Sequence, residues 1–442
     1  MAWVGVLGTP HAQTVNPAPD TSQECVASPP PELVWSQAQQ RLSACNRDVQ
    51  VAVRAAQGVR ADIRTAGQRP NPTLSTGVGQ YSPSVGWGAG GLLDKQVDWL
   101  ARWDQTLERG NKRELRVESA RHASAAAQWG VADTLRQQQL NLAQAWIDLW
   151  GAQERVRLQR EIAALYQRTL DAARLRLKAG DIAAAEVSRI DLDVQRAEGE
   201  RIGARAELSR ARSVVAALLA LEGEAEVLTA ATPWPRSNAA PAASVDPGSA
   251  DRPDLQAARA QQSAAEARTR LARSLQTRDV SVGLQLERYA PQAGYGWLYG
   301  AYVSFPIFAF HRHEGEIARA EADLDVASAE RRRIEQRARA NQQRLAQARW
   351  LARERRERIE NDALPLAEKV AASADLAYRR GAGSVLELLD ALRQLRALQL
   401  EALSARLDED RADAASRAEM LTASAADDPI FGESLRLRPT EF

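Results

Sequence analysis

The sequence predicts a mostly α-helical chain with a small β part, built as two similar halves of long antiparallel helices and four short strands. Three observations carry that prediction. The first is an internal repeat at a lag of about 200 residues. Leu177-Lys178-Ala179-Gly180 followed by Glu186 matches Tyr378-Arg379-Arg380-Gly381 followed by Glu387, and Leu74-Ser75-Thr76-Gly77 matches Val280-Ser281-Val282-Gly283. The second is a heptad of apolar residues, Leu135, Leu142, Leu149, Val156, Ala163, Leu170 and Leu177. A seven-residue period implies left-handed supercoiling against neighbouring helices. The third is a set of short runs with period two, which place alternate residues on one side of a sheet.

Composition sets the outer limits. Of 442 residues, 45% are hydrophobic and 26% charged, the balance of a folded chain. There are 58 basic and 57 acidic residues, net charge +1, whereas a chain that grips phosphate backbones carries a basic excess. In the Arg-rich stretch from Arg331 to Arg358, Glu330, Glu335, Glu354 and Glu357 offset the Arg residues, so it reads as a solvated helix face and no nucleic-acid partner is expected. The longest internal apolar run, Val214 to Leu221, is far short of the ~20 residues of a spanning helix.

Each element then follows in order. Residues 1–12 resemble the end of a signal peptide without its positive n-region, which implies export. Residues 13–32 are an N-terminal segment, 33–228 the first repeat, 229–250 a Pro-, Ala- and Ser-rich linker, 251–423 the second repeat and 424–442 a tail. Helices are expected from about Leu33 to Gly67, Asn111 to Lys178, Asp181 to Leu221, Asp251 to Leu275, Arg312 to Arg379 and Ser384 to Leu421. Leu345, Ala352, Ile359 and Leu366 extend the heptad rule into the second half, with Pro365 expected to kink that helix. In the strands, Val97, Trp99, Ala101 and Trp103 alternate with Asp98, Leu100, Arg102 and Asp104. Val280, Val282, Leu284 and Leu286 alternate with Ser281, Gly283, Gln285 and Glu287, and Tyr295, Trp297, Tyr299, Ala301, Val303 and Phe305 share one face of a third run. Aromatic-rich apolar faces suit lipid-facing positions, although a half-buried soluble sheet gives the same alternation.

Geometry favours a tube. A single helix from Asn111 to Lys178 would run on the order of 100 Å, longer than a compact domain needs. Four strands cannot close a membrane barrel, for which about eight is the minimum, whereas three chains supply about twelve. Closure removes the sheet edges that hydrocarbon does not tolerate. The expected architecture is thus a homotrimer with a 12-stranded outer-membrane β-barrel, continued into the periplasm by coiled helices.

From Leu33 to Ala423 the chain resembles the TolC-like outer-membrane factors, and among them the outer-membrane members of heavy-metal (cobalt-zinc-cadmium type) efflux systems. The strand-to-helix junctions carry the resemblance. They are Asp104-Gln105-Thr106-Leu107-Glu108-Arg109-Gly110-Asn111-Lys112-Arg113 and Phe305-Pro306-Ile307-Phe308, with Gly315-Glu316-Ile317-Ala318-Arg319-Ala320-Glu321 opening the next helix. The second junction is typical of the metal-efflux branch, where secretion ducts more often carry Gly-Gly-Arg. Ala44-Cys45-Asn46 is similar instead to some secretion-duct relatives.

The resemblance implies a passive channel that works with a periplasmic adaptor and an inner-membrane proton-driven pump, contacts outer-membrane lipid and needs no cofactor. It also implies a gate. Carboxylates after the second Gly turn, matched here by Glu387 and Asp390, ring the pore, and a Tyr-to-carboxylate link, matched by Tyr378 and Glu186, ties the hairpins. Glu387 and Asp390 are three apart and share a helix face, which a solvated surface would equally show. Where the family often carries Arg in the second turn, Gly383 stands. The tips at Gly180, Asp181, Gly381 and Gly383 are the expected adaptor contacts, and Gly there permits a sharp reversal.

Cys25 and Cys45 fit no zinc motif and can bridge in an oxidising compartment, two independent thiols being the alternative. His311-Arg312-His313-Glu314 offers two His but a single adjoining carboxylate at a turn, so no metal site is expected there. The sequence holds no Walker A loop, nucleophile elbow or HExxH, and the chain is not expected to be an enzyme. Rival readings are an exit duct for type I protein secretion or organic toxicants, and a soluble coiled-coil scaffold.

Overall fold

A computed structural model describes Cys25 and residues 32–79, 81, 83–84, 86–89, 91, 95–235, 252–289 and 296–420. The signal-like start, the C-terminal tail and most of the 229–250 linker lie outside the described residues. The chain forms two compact units, one of residues 1–51, 134–245 and 341–442, the other of 52–133 and 246–340. In order, the elements are β1 (Glu32–Leu33), α1 (Trp35–Cys45), α2 (Arg47–Ala66), β2 (Thr73–Gly79), β3 (Asp98–Leu107), α3 (Lys112–Ala179), α4 (Ala184–Leu219), β4 (Thr229–Ala230), α5 (Pro253–Ser274), β5 (Val280–Arg288), β6 (Trp297–Ser304), α6 (Glu314–Arg358), α7 (Leu364–Arg379) and α8 (Val385–Met420). The fold is mostly helical with few strands, as the sequence predicts. Among the described residues no helix is long and apolar enough to cross a membrane.

The unit of 52–133 and 246–340 holds a four-stranded antiparallel sheet in the order β2-β3-β5-β6. Its register sorts the side chains. Because Asp104 pairs with both Thr73 and Gly283, and Gly283 with Tyr302, one face carries Ser75, Asp98, Arg102, Asp104, Gln285, Glu287 and Tyr302. The other carries Leu74, Val78, Trp99, Trp103, Val282, Leu284, Leu286, Trp297, Tyr299 and Val303. Leu74, Leu284, Tyr299 and Val303 on this apolar face are exposed. The Tyr302 ring lies over Gly283, where a Cβ would collide with it, and the Arg102 guanidinium stacks 3.8 Å from the ring centroid.

The strand-to-helix junctions repeat in geometry as well as in sequence. Asn111 before α3 and His313 before α6 both have positive φ, 56° and 65°, and their carbonyls accept the amides of Leu115 and Ile317. Asn and His are among the non-Gly residues that enter this region most readily. The buried Lys112 ammonium donates 2.8 Å bonds to Asp279 Oδ1 and the Thr277 carbonyl, tying α3 to the chain entering β5.

In the unit of residues 1–51, 134–245 and 341–442, one apolar core joins Leu33, Trp35 and Leu42 to Leu142, Trp146 and Leu149 of α3, Val215 and Leu219 of α4, and Ala414 and Ala418 of α8. Trp35 packs edge-on against Trp146 and Trp234, at 5.8 and 4.8 Å between centroids. Burial of each such large side chain stabilises by roughly 1.5–3 kcal/mol. β1 and β4 pair in parallel beside this core, so the linker begins with a strand that the sequence does not announce.

Two expected helices differ in form. The stretch from Leu33 to Gly67 is not one helix: Asn46 adopts an extended conformation and ends α1. Its Oδ1 accepts the amides of Asp48 and Val49, capping α2, while its Nδ2 donates to the Leu218 carbonyl. The stretch from Arg312 to Arg379 is interrupted by a π-helical turn, Ile359–Ala363. Pro365 lacks an amide N–H and its ring opposes the carbonyl four residues back. The backbone widens instead, and the Leu364 amide donates to the Ile359 carbonyl, five residues back. One inserted residue turns later positions by about 100°. The heptad Leu345, Ala352, Ile359, Leu366 therefore fails at its last member: Ile359 is 8% exposed and Leu366 61%.

Candidate gate and hairpin tips

α3 and α4 form one hairpin, α7 and α8 a second, and both turn in the same way. At Gly180 φ is +80° and at Gly381 +74°. Beyond each, an amide reaches back five residues: Asp181 N donates to the Arg176 carbonyl at 3.0 Å and Ala382 N to the Ala377 carbonyl at 2.9 Å. This is the left-handed cap that Gly provides at a helix end. Asp181 and Gly381 are exposed, and Gly383 donates to the Ala377 carbonyl at 3.1 Å.

Glu387 and Asp390 are both exposed in the first turns of α8. Glu387 completes a reciprocal cap: the Ser384 amide donates to its Oε2 at 3.1 Å, and its own amide donates to Ser384 Oγ at 3.2 Å. Asp390 Oδ2 accepts a 2.8 Å bond from Gln394 Nε2.

The expected tie between Tyr378 and Glu186 is not formed within the chain. The Tyr378 hydroxyl is buried without a hydrogen-bond partner. Tyr378 is engaged instead by Arg176 of α3, whose Nη1 donates to its carbonyl at 3.3 Å and whose guanidinium lies 4.8 Å from its ring centroid. Glu186 sits half-buried in the first turn of α4, where its amide donates to the Ala183 carbonyl.

Further polar ties between the hairpins link α4 to α8, and sequence reasoning missed them. Arg393 of α8 donates to Asp193 Oδ2 of α4 at 2.7 Å, and Arg396 pairs with Glu200, which also accepts from Gln159 of α3 at 3.3 Å. The bond to Asp193 holds the Arg393 guanidinium above its ordinary pKa. Burial, and then the Asp193 charge, push the neighbouring Tyr166 phenol up. The available signal was the spacing: two acids seven apart on α4 face two Arg three apart on α8. Around these groups Ile162, Leu170, Ile190, Ala197, Ala371, Leu388, Leu389 and Leu392 form a core shared by all four hairpin helices.

The Cys25 and Cys45 sulfurs are bonded, with Cα atoms 5.6 Å apart. His313 Nδ1 lies 3.3 Å from Glu316 Oε1, and among the described residues no group of three or more His, Cys, Asp or Glu could hold a metal ion.

The architecture is shared with solved bacterial channels. The outer-membrane channel OprN is 21% identical with a TM-score of 0.72, covering 91% of this chain and 90% of its own. The outer membrane protein VceC of Vibrio cholerae is 16% identical at 0.71, covering 87% and 95%. The MtrE outer membrane channel of Neisseria gonorrhoeae, solved in an open state, is 17% identical at 0.73, covering 87% and 88%. No curated protein sequence matches. Within this chain, residues 249–418 match the family described as outer membrane efflux protein.

Proposed function

We propose that the chain is one protomer of a homotrimeric outer-membrane duct, the passive exit of a tripartite efflux system of a Gram-negative bacterium. The two-faced sheet carries the reading. One face presents exposed Leu74, Leu284, Tyr299 and Val303 together with Trp99, Trp103 and Trp297, as a lipid-facing wall does. The opposite face carries Arg102, Asp104, Gln285 and Glu287, as a watery lumen does. Three copies supply about twelve strands and leave no free edge. A half-buried soluble sheet shows the same alternation but covers its apolar face, whereas here Leu74, Leu284, Tyr299 and Val303 stand exposed. The family match over residues 249–418 supports the same reading.

In this account the hairpin tips at Gly180, Asp181, Gly381 and Gly383 meet a periplasmic adaptor, which couples the duct to a proton-driven pump. Glu387 and Asp390, repeated three times around the axis, line the narrow periplasmic end and attract cations. Heavy-metal cations are the cargo that suits such rings and the Phe305-Pro306-Ile307-Phe308 junction. Energy comes from the pump, so the duct needs neither cofactor nor catalytic group. The test is single-channel recording after insertion into planar bilayers. Discrete cation-preferring steps are expected, and a detergent-solubilised assembly that never conducts would refute the channel.

A further inference from the structure

The π turn at Ile359–Ala363 separates α6 from α7, and with them two regimes of packing. Before it, residues 341–358 of α6 contribute no buried apolar side chain. Ion pairs tie this stretch to α8: Arg349 to Asp413 at 2.8 Å, Arg355 to Glu401 and Asp408 at 3.3 Å each, and Arg356 to Glu409. After it, α7 places Ala371 and Tyr378 in the core shared by the hairpin helices. At the turn itself a separate small cluster forms, in which Ile359 packs against Ala402 and Ala405 of α8.

From this arrangement we propose that the π turn is the hinge on which the α7–α8 tip swings, an inference that rests on reading the chain as a duct whose periplasmic end opens. A π turn replaces bonds between residues four apart with fewer, longer-spaced ones, so it bends more readily than the α-helix on either side. Pro365 keeps the backbone from closing back to α geometry, because that would press its ring on the Asn361 carbonyl. At the turn itself Ile359 meets only the methyl groups of Ala402 and Ala405, with Leu364 beside them, so the apolar contact that fixes the angle there is small. The ion pairs of Arg355 are half-exposed and can exchange between Glu401 and Asp408 as the angle changes, while the largely buried pair of Arg356 and Glu409 holds α6 to α8 before the turn. Beyond the turn the core is continuous across α3, α4, α7 and α8, so the swing carries the α3–α4 tip with it as one body.

Two measurements on the full-length protein test the hinge. Hydrogen exchange of the unmodified, detergent-solubilised assembly should show amides 360–364 exchanging about tenfold faster than those of residues 368–376. Equal protection overturns the proposal. A spin label at Ala382→Cys, with both native cysteines bridged, reads the spread of distances between tips. Deleting Asn361 together with Pro365→Ala restores α geometry while keeping both flanks in register, and should narrow that spread. An unchanged spread again overturns it, and where the deletion does not assemble, Pro365→Ala alone is read in the same way. Bilayer currents separate the two readings. Fast exchange and a narrowed spread without conductance leave the hinge and sink the duct; conductance with uniform protection does the reverse.

Discussion

Arg393 of α8 reaches across to Asp193 of α4, a 2.7 Å bond to a carboxylate that is 5% exposed in its side chain. It is one of the polar ties that join the two hairpins, with Arg396 and Glu200 beside it. Arg393→Ala leaves the buried Asp193 carboxylate with Arg196, 3.7 Å away, to offset it. The expected loss is about 1–3 kcal/mol, near the lower end because the Arg393 side chain is 44% exposed and solvent screens it. Thermal unfolding of Arg393→Ala, Asp193→Asn and the double variant forms a cycle that isolates the pair. Losses that simply add would show that the two residues do not interact.

Glu387 and Asp390 are predicted to set the charge at the periplasmic entrance. Glu387 also caps α8, so the informative variants are Glu387→Gln with Asp390→Asn, which remove charge and keep the capping bond. Cation selectivity and block by divalent ions should both fall, while assembly stays intact. Unchanged selectivity would return these residues to the role of solvated surface.

Cys25 and Cys45 should be found bridged in protein recovered from the periplasm-facing envelope. The bridge closes a loop with a sequence separation of 20 and should stabilise the N-terminal segment by about 3 kcal/mol on the chain-entropy account. Mass mapping without reductant decides, because two free thiols would contradict the pairing.

Gly283→Ala should impair barrel assembly, because its Cβ would collide with the Tyr302 ring laid across it. Gly283→Ala with Tyr302→Ala should recover assembly, read as heat-modifiable mobility on gels. Equal yields of the single variant and the unmodified protein would show that Tyr302 moves aside freely.

Acid should weaken the hairpins in a defined window. Hydrogen bonds from Arg201 and Arg353 hold the Glu198 and Glu357 carboxyls below their ordinary 4.5. A depressed folded-state pKa contributes stability above the unfolded value, which is lost as pH falls through the folded one. Thermal stability should therefore be flat in these contributions down to pH 4.5 and decline below it. Glu198→Gln with Glu357→Gln should flatten that decline.

Period and repetition made most of the fold legible. The heptad from Leu135 to Leu177 is α3, and the alternation around Trp99 and Leu284 is the sheet, because one side chain in seven or two was constrained by packing. The Gly turns were legible because positive φ at Gly180 and Gly381 demands glycine. What stayed hidden depended on partners distant in sequence or on a single residue. Asn46 breaks a helix by capping the next one, Pro365 inserts a π turn that rotates Leu366 outward, and β4 exists only because Leu33 pairs with it. The Asp193–Arg393 tie was hidden for the same reason, since ordinary helix charges acquire meaning only when two hairpins are packed.

The central claim is that three chains close one barrel, and native mass spectrometry of the detergent-extracted outer-membrane fraction tests it most directly. The account predicts a species of three protomers that persists after removal of loosely bound lipid. A monomer or dimer as the sole species would contradict it, since a monomer's four strands cannot close a barrel and a dimer would close one of eight strands, not twelve.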